Sequence, residues 1–369
     1  MRLCRVIYAI AAAVTLMAVC SCSTRKNTAA SRNYQAFITR YNVYFNGDEH
    51  YRETLRDMER SYQDDYTSLV PVHPAEMRGV AQAPQPTGNF DRSIEKAQKA
   101  IQLHSIKKRP KRKPGKSSDP AYKAWLKRDE YNPFLHNAWM MMGRSQYMNG
   151  DFLGAASTFY YVTRHFKWLT ATVTEAALWQ ARSYVAMDWL FEAETILRRI
   201  KDTDLTSTDL RRLYNTVEAD YHIRSRDYEA AIPYLREAAR SAKGPQRTRL
   251  WFLLGQVNAR LGKKAEAYEA YRKAGSASGA DYRTKFNARI HQSEVYTGAD
   301  IMPEVKALRR MTRYDRNKEY LDQIYYAIGN LYLSRRDTAN AIESYILAAD
   351  KSTRSGIEKA ISQITLGGL

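Results

Sequence analysis

From residue 129 onward, small and large apolar residues recur in a fixed order along the chain. In each block a turn precedes a helical stretch in which a small residue is followed four positions later by a large one. The small positions are Ala155, Ala193, Ala231, Ala267, Val305 and Ala341, at spacings of 38, 38, 36, 38 and 36 residues. Such periods indicate stacked helix pairs. The pattern predicts an all-α solenoid of about six repeats over residues 121–350, with a capping helix and tail at 351–369.

A second set of positions repeats one helix earlier in three of the blocks. It places an aromatic residue, a large apolar residue and a glycine in one register: Trp139-Met142-Gly143, Trp251-Leu254-Gly255 and Tyr325-Ile328-Gly329. Together the two sets resemble the tetratricopeptide repeat (TPR), in which small residues let paired helices approach and aromatics fill the space between repeats. A general helical solenoid is the alternative. The fifth unit is degenerate, because Met302-Pro303 interrupts it and Arg309 replaces the large apolar residue.

The first 22 residues have the pattern of a bacterial export signal. Arg2 and Arg5 precede an uncharged apolar run, Val6–Val19, that is shorter than the roughly 20 residues needed to span a bilayer. The following Val19-Cys20-Ser21-Cys22 resembles a lipobox, and Cys22 fits the lipidated position because the small Ser21 precedes it. An uncleaved anchor or a simple secretory peptide is the alternative.

These features predict a lipoprotein signal peptide at residues 1–21 and a polar tether at 22–32. Acyl chains on Cys22 would fix the protein to a membrane. The chain has three cysteines, all within its first 22 residues. The remainder therefore has no cysteine for a disulfide, a zinc site or a nucleophile.

Residues 33–106 are predicted to form an N-terminal helical region. Residues 33–45 and 49–62 have helical spacing, and Asn46-Gly47-Asp48 is the expected turn of a helical hairpin. Four prolines and little periodicity predict a loop over residues 63–90. An amphipathic helix is expected over Ile94–Ile106.

Positive charge is in excess, with 58 Lys and Arg against 39 Asp and Glu, a net charge of +19. Part of it lies in a basic linker at residues 107–120, whose basic members are Lys107, Lys108, Arg109, Lys111, Arg112, Lys113 and Lys116. Charge density, together with Pro110, Pro114 and Gly115, predicts an exposed, non-helical arm. Contact with anionic lipid head groups suits a membrane-tethered protein. A plain solubilising linker is equally compatible, and an exported protein is not expected to bind nucleic acid.

The sequence contains no familiar catalytic or metal-binding motif. The seven histidines are dispersed, and no metalloprotease, serine hydrolase or nucleotide-binding motif occurs. The carboxylate pairs Asp129-Glu130 and Asp227/Glu229 stand at expected helix starts, where acids cap backbone amides. We therefore expect a protein that is not an enzyme and holds no metal and no cofactor.

A helical repeat array is typical of proteins that bind other proteins or peptides. In TPR arrays the first helix of each pair lines a groove through fixed positions. In this register they include Arg144, Tyr147, Arg182, Asp220, Arg224, Phe252, Gln256, Arg260, Tyr326 and Asn330. Arginine forks beside aromatic faces suit the carboxylates of an extended peptide. A solvated face of a basic protein is an equally weighted alternative.

The segment CSTRKNT at residues 22–28 and the segment TRYNVYFNG at 39–47 resemble the SprE/PorW group of Bacteroidota TPR lipoproteins. The resemblance covers the export signal and roughly residues 33–200. It implies an outer-membrane lipoprotein on the periplasmic face, acting as a protein-protein interaction scaffold in type IX secretion and gliding motility. Its expected partners are secretion motor or translocon components. Family members usually run longer, and the basic arm is not a known family feature.

Two other functions remain open from the sequence. One is an envelope adaptor resembling the TPR lipoproteins of outer-membrane β-barrel assembly. The other is a peptidoglycan-processing enzyme or nutrient binder whose site has no familiar motif.

Overall fold

The computed structural model describes residues 24–116, 118–278, 280–353 and 357–369. The signal peptide and Cys22 lie outside these ranges. Over the described residues the chain is built of helices and contains no strand. The contacts divide it into two units. Unit 1 comprises Met1–Gln63 and His73–Ser225, and unit 2 comprises Asp64–Val72 and Arg226–Leu369.

Unit 1 begins with a long helical segment and continues as helix pairs. Its α-helices are α1 Ala29–Ile38, α2 Phe45–Ser61, α3 Asp91–His104, α4 Pro120–Leu126, α5 Leu135–Met148, α6 Phe152–His165, α7 Thr170–Ala186, α8 Leu190–Leu197 and α9 Thr208–Arg224. A π-helical turn, Thr39–Tyr44, joins α1 to α2, and short 3-10 helices lie at Pro74–Met77 and Asp202–Asp204. Helices α5 to α8 each pack on the next, and α3 packs against α5.

Unit 2 is a second run of packed helices. They are α10 Tyr228–Ser241, α11 Gly244–Arg260, α12 Lys264–Ser276, α13 Tyr282–Glu294, α14 Met302–Met311, α15 Leu321–Leu333, α16 Thr338–Lys351 and α17 Ile357–Gly367, with a 3-10 helix at Asp315–Tyr320. Helices α10 to α13 pack in succession, and so do α15 to α17. The predicted all-α, TPR-like arrangement of consecutive helix pairs is confirmed.

The turns that join paired helices carry the same period as the sequence. The residue in the left-handed region of the backbone is Gly150, Asp188, Arg226, Gly262 and Arg336 in turn, with φ between 58° and 84°. Their spacings are 38, 38, 36 and 74 residues. Non-glycine residues occupy this region with a steric penalty. The turn geometry is therefore set by the helix packing on either side.

The predicted N-terminal hairpin of residues 33–45 and 49–62 is wrong, because both of its arms belong to one unbroken helical segment, Ala29–Ser61. Asn46-Gly47-Asp48 lies inside α2, and Asn46 Nδ2 donates to the carbonyl of Asn42, 3.1 Å away. Gly47 serves close packing, because a Cβ there would lie 2.7 Å from Met141 Cε. Helix α2 packs against α3, whose Ser93 hydroxyl donates to the Gly47 carbonyl at 2.9 Å. Residues 62–90 connect α2 to α3.

The last part of the predicted tether, residues 22–32, is helical. Helix α1 begins at Ala29 because the Thr28 hydroxyl accepts a hydrogen bond from the Ser31 amide and caps the first turn.

The fifth pair also differs from its prediction. Pro303 stands in the first turn of α14, where its missing N–H leaves no helical hydrogen bond unmade, so it opens the helix and does not interrupt it. Val305 and Leu308 bury this helix in the core of unit 2.

Within the repeats, a glycine on the first helix meets an aromatic ring on the second. A Cβ on Gly143 would lie 2.7 Å from Phe159, and one on Gly255 would lie 2.5 Å from Tyr271. Gly329 and Tyr345 repeat the contact at 2.5 Å. All three rings are buried and cannot swing away. At these three positions, glycine therefore allows the backbone of the first helix to contact the aromatic ring of the second.

Gly255→Ala is expected to destabilise unit 2 by about 1–3 kcal/mol, because the added methyl overpacks a buried ring. The matched control is Gly275→Ala in α12, where the new Cβ would lie 3.5 Å from Ala288 Cβ, an ordinary contact. Helix propensity should leave that variant unchanged or more stable by up to about 1 kcal/mol. Urea unfolding followed by circular dichroism measures both. Equal effects at the two glycines would contradict the packing argument.

Candidate protein-binding grooves

In unit 1, the groove positions predicted on three successive first helices meet around one carboxylate of the preceding loop. Tyr147 on α5, Arg182 on α7 and Arg224 on α9 all approach Glu76, which lies in the 3-10 turn Pro74–Met77. Arg182 Nη2 is 3.5 Å from Glu76 Oε1, and Arg224 Nη2 is 4.0 Å from Glu76 Oε2. The Tyr147 hydroxyl donates a long hydrogen bond, 3.5 Å, to Glu76 Oε1.

Ring packing holds the guanidinium of Arg182 in place. It lies over the rings of Tyr147 and Trp179, 4.9 and 5.0 Å from their centroids. Such cation–π contacts favour an arginine that is withdrawn from water. Only 6% of Arg182 is exposed. Burial and ring packing thus orient the guanidinium toward the loop and leave little of it accessible to another protein.

A second carboxylate completes the cluster on α9. Asp220 Oδ1 accepts a hydrogen bond from Arg224 Nε at 3.1 Å, and Arg224 also reaches Asp188 at 2.9 Å. Asp220 Oδ2 is buried without a hydrogen-bond partner among the described residues. Both buried carboxylates are therefore incompletely satisfied among the described residues: the arginine contacts of Glu76, at 3.5 and 4.0 Å, are longer than ordinary hydrogen bonds, and Asp220 is bonded through one oxygen only.

Burial raises the pKa of Glu76 from its ordinary 4.5 to about 7, and the nearby Asp220 carboxylate adds to the rise. The guanidinium groups of Arg182 and Arg224 oppose it. The folded protein therefore holds this proton more tightly than the unfolded chain does. The contribution of Glu76 to stability is full below about pH 4.5 and is lost as the pH rises through about 7.

We expect Glu76→Gln to flatten the dependence of stability on pH between 5 and 8. At pH 8 the variant should match or exceed the wild type, by on the order of 1–3 kcal/mol, since glutamine resembles the protonated carboxyl. Urea unfolding at several pH values measures this. Glu192→Gln, at an exposed carboxylate of α8, should leave the slope unchanged. A less stable Glu76→Gln protein at pH 8 would show that the charged carboxylate stabilises the fold.

In unit 2, a non-helical stretch of the same loop, Asp64–Val72, lies along the first helix α11. Arg249 Nε contacts both oxygens of Asp64, at 3.1 and 3.0 Å, and both side chains are buried. Gln256 holds the backbone: its Oε1 accepts from the Val70 amide at 2.9 Å, and its Nε2 donates to the Ser68 carbonyl at 2.6 Å. This is how a groove holds an extended peptide, through its main chain and an acidic side chain.

Aromatic packing adds to these polar contacts. The ring of Tyr66 meets the ring of Phe252 edge-on, with centroids 4.8 Å apart. The Tyr66 hydroxyl shares a 2.7 Å hydrogen bond with the Thr284 hydroxyl on α13. Phe252 is fully buried, and Tyr66 is 8% exposed. The tyrosine thus fills a pocket between two successive first helices of the array.

The other predicted groove residues lie elsewhere. Arg144 is half-buried and faces Glu175 at 3.9 Å. Arg260 is exposed, and its Nη1 donates to the Tyr228 hydroxyl at 3.2 Å. Asn330 accepts a 2.7 Å hydrogen bond from the Tyr345 hydroxyl, and the hydroxyl of Tyr326 lies 3.4 Å from that of Thr365 on α17. The binding of a separate protein by any of these positions stays a prediction.

The sequence did not predict the loop residues that pack against these first helices. Asp64, Tyr66, Val70 and Glu76 are buried within the stretch predicted only as a loop. Two acidic residues and an aromatic residue in a proline-rich segment complement a row of arginines. This complementarity between the loop and the arginines was the feature of the sequence that could have indicated their contact.

Glu130 also differs from its predicted role as a helix cap. Its Oε1 accepts from the backbone amides of Ile106 and Asn132, at 2.8 and 2.7 Å, and its Oε2 accepts from the Ser105 hydroxyl. It therefore joins the end of α3 to the start of the repeats. The prediction for Asp227 is confirmed, because its carboxylate accepts from the Ala230 amide at the start of α10.

The charged residues of the basic linker are exposed and non-helical in the structure. No helix in the described ranges combines the length and apolar character needed to cross a membrane. The same residues contain no cluster of histidine and acidic side chains suited to a metal ion.

Comparison with protein families identifies the repeats. One family model described as tetratricopeptide repeat matches residues 216–281, and a second matches residues 322–350. No curated protein matches the chain. TPR proteins are generally non-catalytic scaffolds that bind other proteins. The chain therefore contains tetratricopeptide repeats at residues 216–281 and 322–350, and its other helix pairs are TPR-like.

Proposed function

We propose that the protein is a non-catalytic scaffold of the bacterial outer membrane, lipid-anchored through Cys22 on the periplasmic face, that joins components of the type IX secretion and gliding machinery. The observation that carries the scaffold role is the way the TPR-type helices of each unit hold a segment that is not part of the repeats. In unit 2, Gln256 and Phe252 of α11 hold the main chain of Val70 and the ring of Tyr66, as a peptide groove would. In unit 1, Arg182 of α7 faces the carboxyl group of Glu76. The envelope role is supported by the lipobox and by the resemblance of residues 22–28 and 39–47.

Because the loop already contacts several predicted groove residues, variants at those residues do not test partner binding cleanly. Arg182→Glu would place a second acid against Glu76 and disturb the fold, so it is unsuitable as a binding variant. Arg260 is exposed, and its reversal to glutamate should leave the helices intact. Its effect on partner capture therefore reports on binding alone.

The experiment has two parts. Palmitate labelling of the wild type and of Cys22→Ser in cells tests the anchor, and incorporation that disappears in the variant supports it. Affinity capture from detergent-solubilised envelope then identifies the partners. Secretion motor or translocon proteins support the proposal, and a secretion defect on deletion agrees with it. Recovery of β-barrel assembly proteins would favour the envelope adaptor instead, and turnover of cell-wall fragments by the purified protein would overturn the non-catalytic role.

A further inference from the structure

A stripe of exposed aromatic side chains runs along the N-terminal helical segment of unit 1. Tyr34, Phe37, Tyr41 and Phe45 are 41%, 61%, 50% and 55% exposed. They recur every three or four residues through α1, the π-helical turn and the start of α2, so they share one side of the segment. The buried residues of the same stretch, Ser31, Gln35, Thr39 and Val43, form a separate row. Four large aromatic side chains that are exposed to solvent along one helical segment indicate an interaction surface.

Positive charge lies beside this aromatic stripe. Arg40 is exposed within it, with its guanidinium 5.2 Å from the ring centroid of Tyr41. The basic arm passes close to the N-terminal end, where Asn27 Nδ2 donates to the carbonyl of Lys108 at 2.7 Å. The charged residues of the arm are exposed. Aromatic rings flanked by Lys and Arg are the combination found at the surface of anionic membranes.

The length of the tether places the stripe near the bilayer if Cys22 is lipidated. Only residues 23–28 separate Cys22 from the first residue of α1. Seven residue steps span at most about 25 Å when fully extended. Helix α1 therefore starts within that distance of the lipid head groups.

We propose that the aromatic stripe and the basic arm form a docking surface for an anionic phospholipid bilayer, on which α1 and the start of α2 lie in the interface. The proposal rests on the lipid anchorage put forward above. The aromatic rings would enter the head-group layer, and the arm would face anionic phosphates. Unit 1 would then be held against the membrane at two places, the acylated Cys22 and this surface.

The full lipidated chain, reconstituted in vesicles, tests the docking surface directly. After signal cleavage Cys22 carries the acyl chain and no other cysteine remains, so an added cysteine can be labelled alone. A fluorophore at Asn42→Cys, an exposed position beside the stripe, should be quenched by brominated lipid in vesicles that contain phosphatidylglycerol. The same label at Ser157→Cys, exposed on α6, should not be quenched. Quenching should fall at least twofold in phosphatidylcholine vesicles or in high salt.

Stripe variants supply the control for the rings. Phe37→Ser with Phe45→Ser, on the Asn42→Cys background, should reduce quenching at least threefold. Leu153→Ser with Phe191→Ser removes equally exposed apolar side chains elsewhere in unit 1 and should leave it unchanged. Circular dichroism confirms that both variants remain helical.

Failure of this proposal is distinguishable from failure of the anchor. Absence of palmitate on Cys22 would overturn the anchorage and, with it, the docking surface. A lipidated protein whose label at Asn42→Cys stays unquenched in anionic vesicles would overturn the docking surface alone. Protection of that label in intact envelopes but not in vesicles would assign the stripe to a protein partner.

Discussion

Asp64→Ala is expected to destabilise unit 2 by about 3–5 kcal/mol, because it leaves the Arg249 guanidinium buried without a counter-charge. Both side chains of the pair are less than a tenth exposed. Burial raises the pKa of Asp64, and the opposing effect of Arg249 does not fully compensate. The charged pair is therefore expensive to bury, although each partner depends on the other.

Replacing the whole pair should be far milder than breaking it. Asp64→Leu with Arg249→Met removes both charges, and apolar replacement of buried pairs is often neutral or stabilising. We expect urea unfolding to show the double variant within about 1.5 kcal/mol of the wild type. The exposed pair Arg240 and Glu237 provides the control, since Glu237→Ala should have no measurable effect. An Asp64→Ala protein as stable as the wild type would mean that the loop does not rest on α11.

Tyr66→Ala should destabilise unit 2 to a similar extent, by about 3–5 kcal/mol, because it empties a pocket lined by a fully buried ring. The lost contacts are the edge-on packing with Phe252 and the hydrogen bond to Thr284. Urea unfolding of the variant measures the loss.

The conservative change at the same site separates packing from hydrogen bonding. Tyr66→Phe keeps the ring and removes only the hydroxyl, which should cost about 1 kcal/mol. If Tyr66→Ala were no worse than Tyr66→Phe, the ring would contribute nothing and the loop would lie on the surface.

The repeats were predictable from sequence because their physical cause is local. Where the first helix of a pair touches an aromatic ring of the second, as at Gly255 and Tyr271, the contact requires a glycine. This constraint recurs in three of the helix pairs, so it leaves a period in the sequence. The fold class therefore follows from a single sequence.

The turn at Asn46-Gly47-Asp48 was wrongly predicted because propensity competes with packing. These residues favour turns in isolation. In the structure, Gly47 lets α2 approach Met141, and Asn46 bonds back to the helix it belongs to. Tertiary contact thus overrides the local preference.

The buried loop was not predictable by periodicity. A non-helical segment held through its backbone, as Val70 is by Gln256, has no fixed repeat of apolar residues. Its partners are far away in sequence: Asp64 and Arg249 are 185 residues apart. Composition therefore indicated only a proline-rich connection, and the arginines that it satisfies were assigned to an external peptide.

Hydrogen exchange of the full chain tests most directly whether the loop is part of the fold. The backbone amide of Val70, which is buried and donates to Gln256 Oε1, should exchange as slowly as the amides of helix α11, since this hydrogen bond holds it out of water. Amides of residues 79–85, mostly exposed on the same loop, should exchange far faster. Equally fast exchange at Val70 and over residues 79–85 would contradict the account, because the groove positions of α11 would then be open.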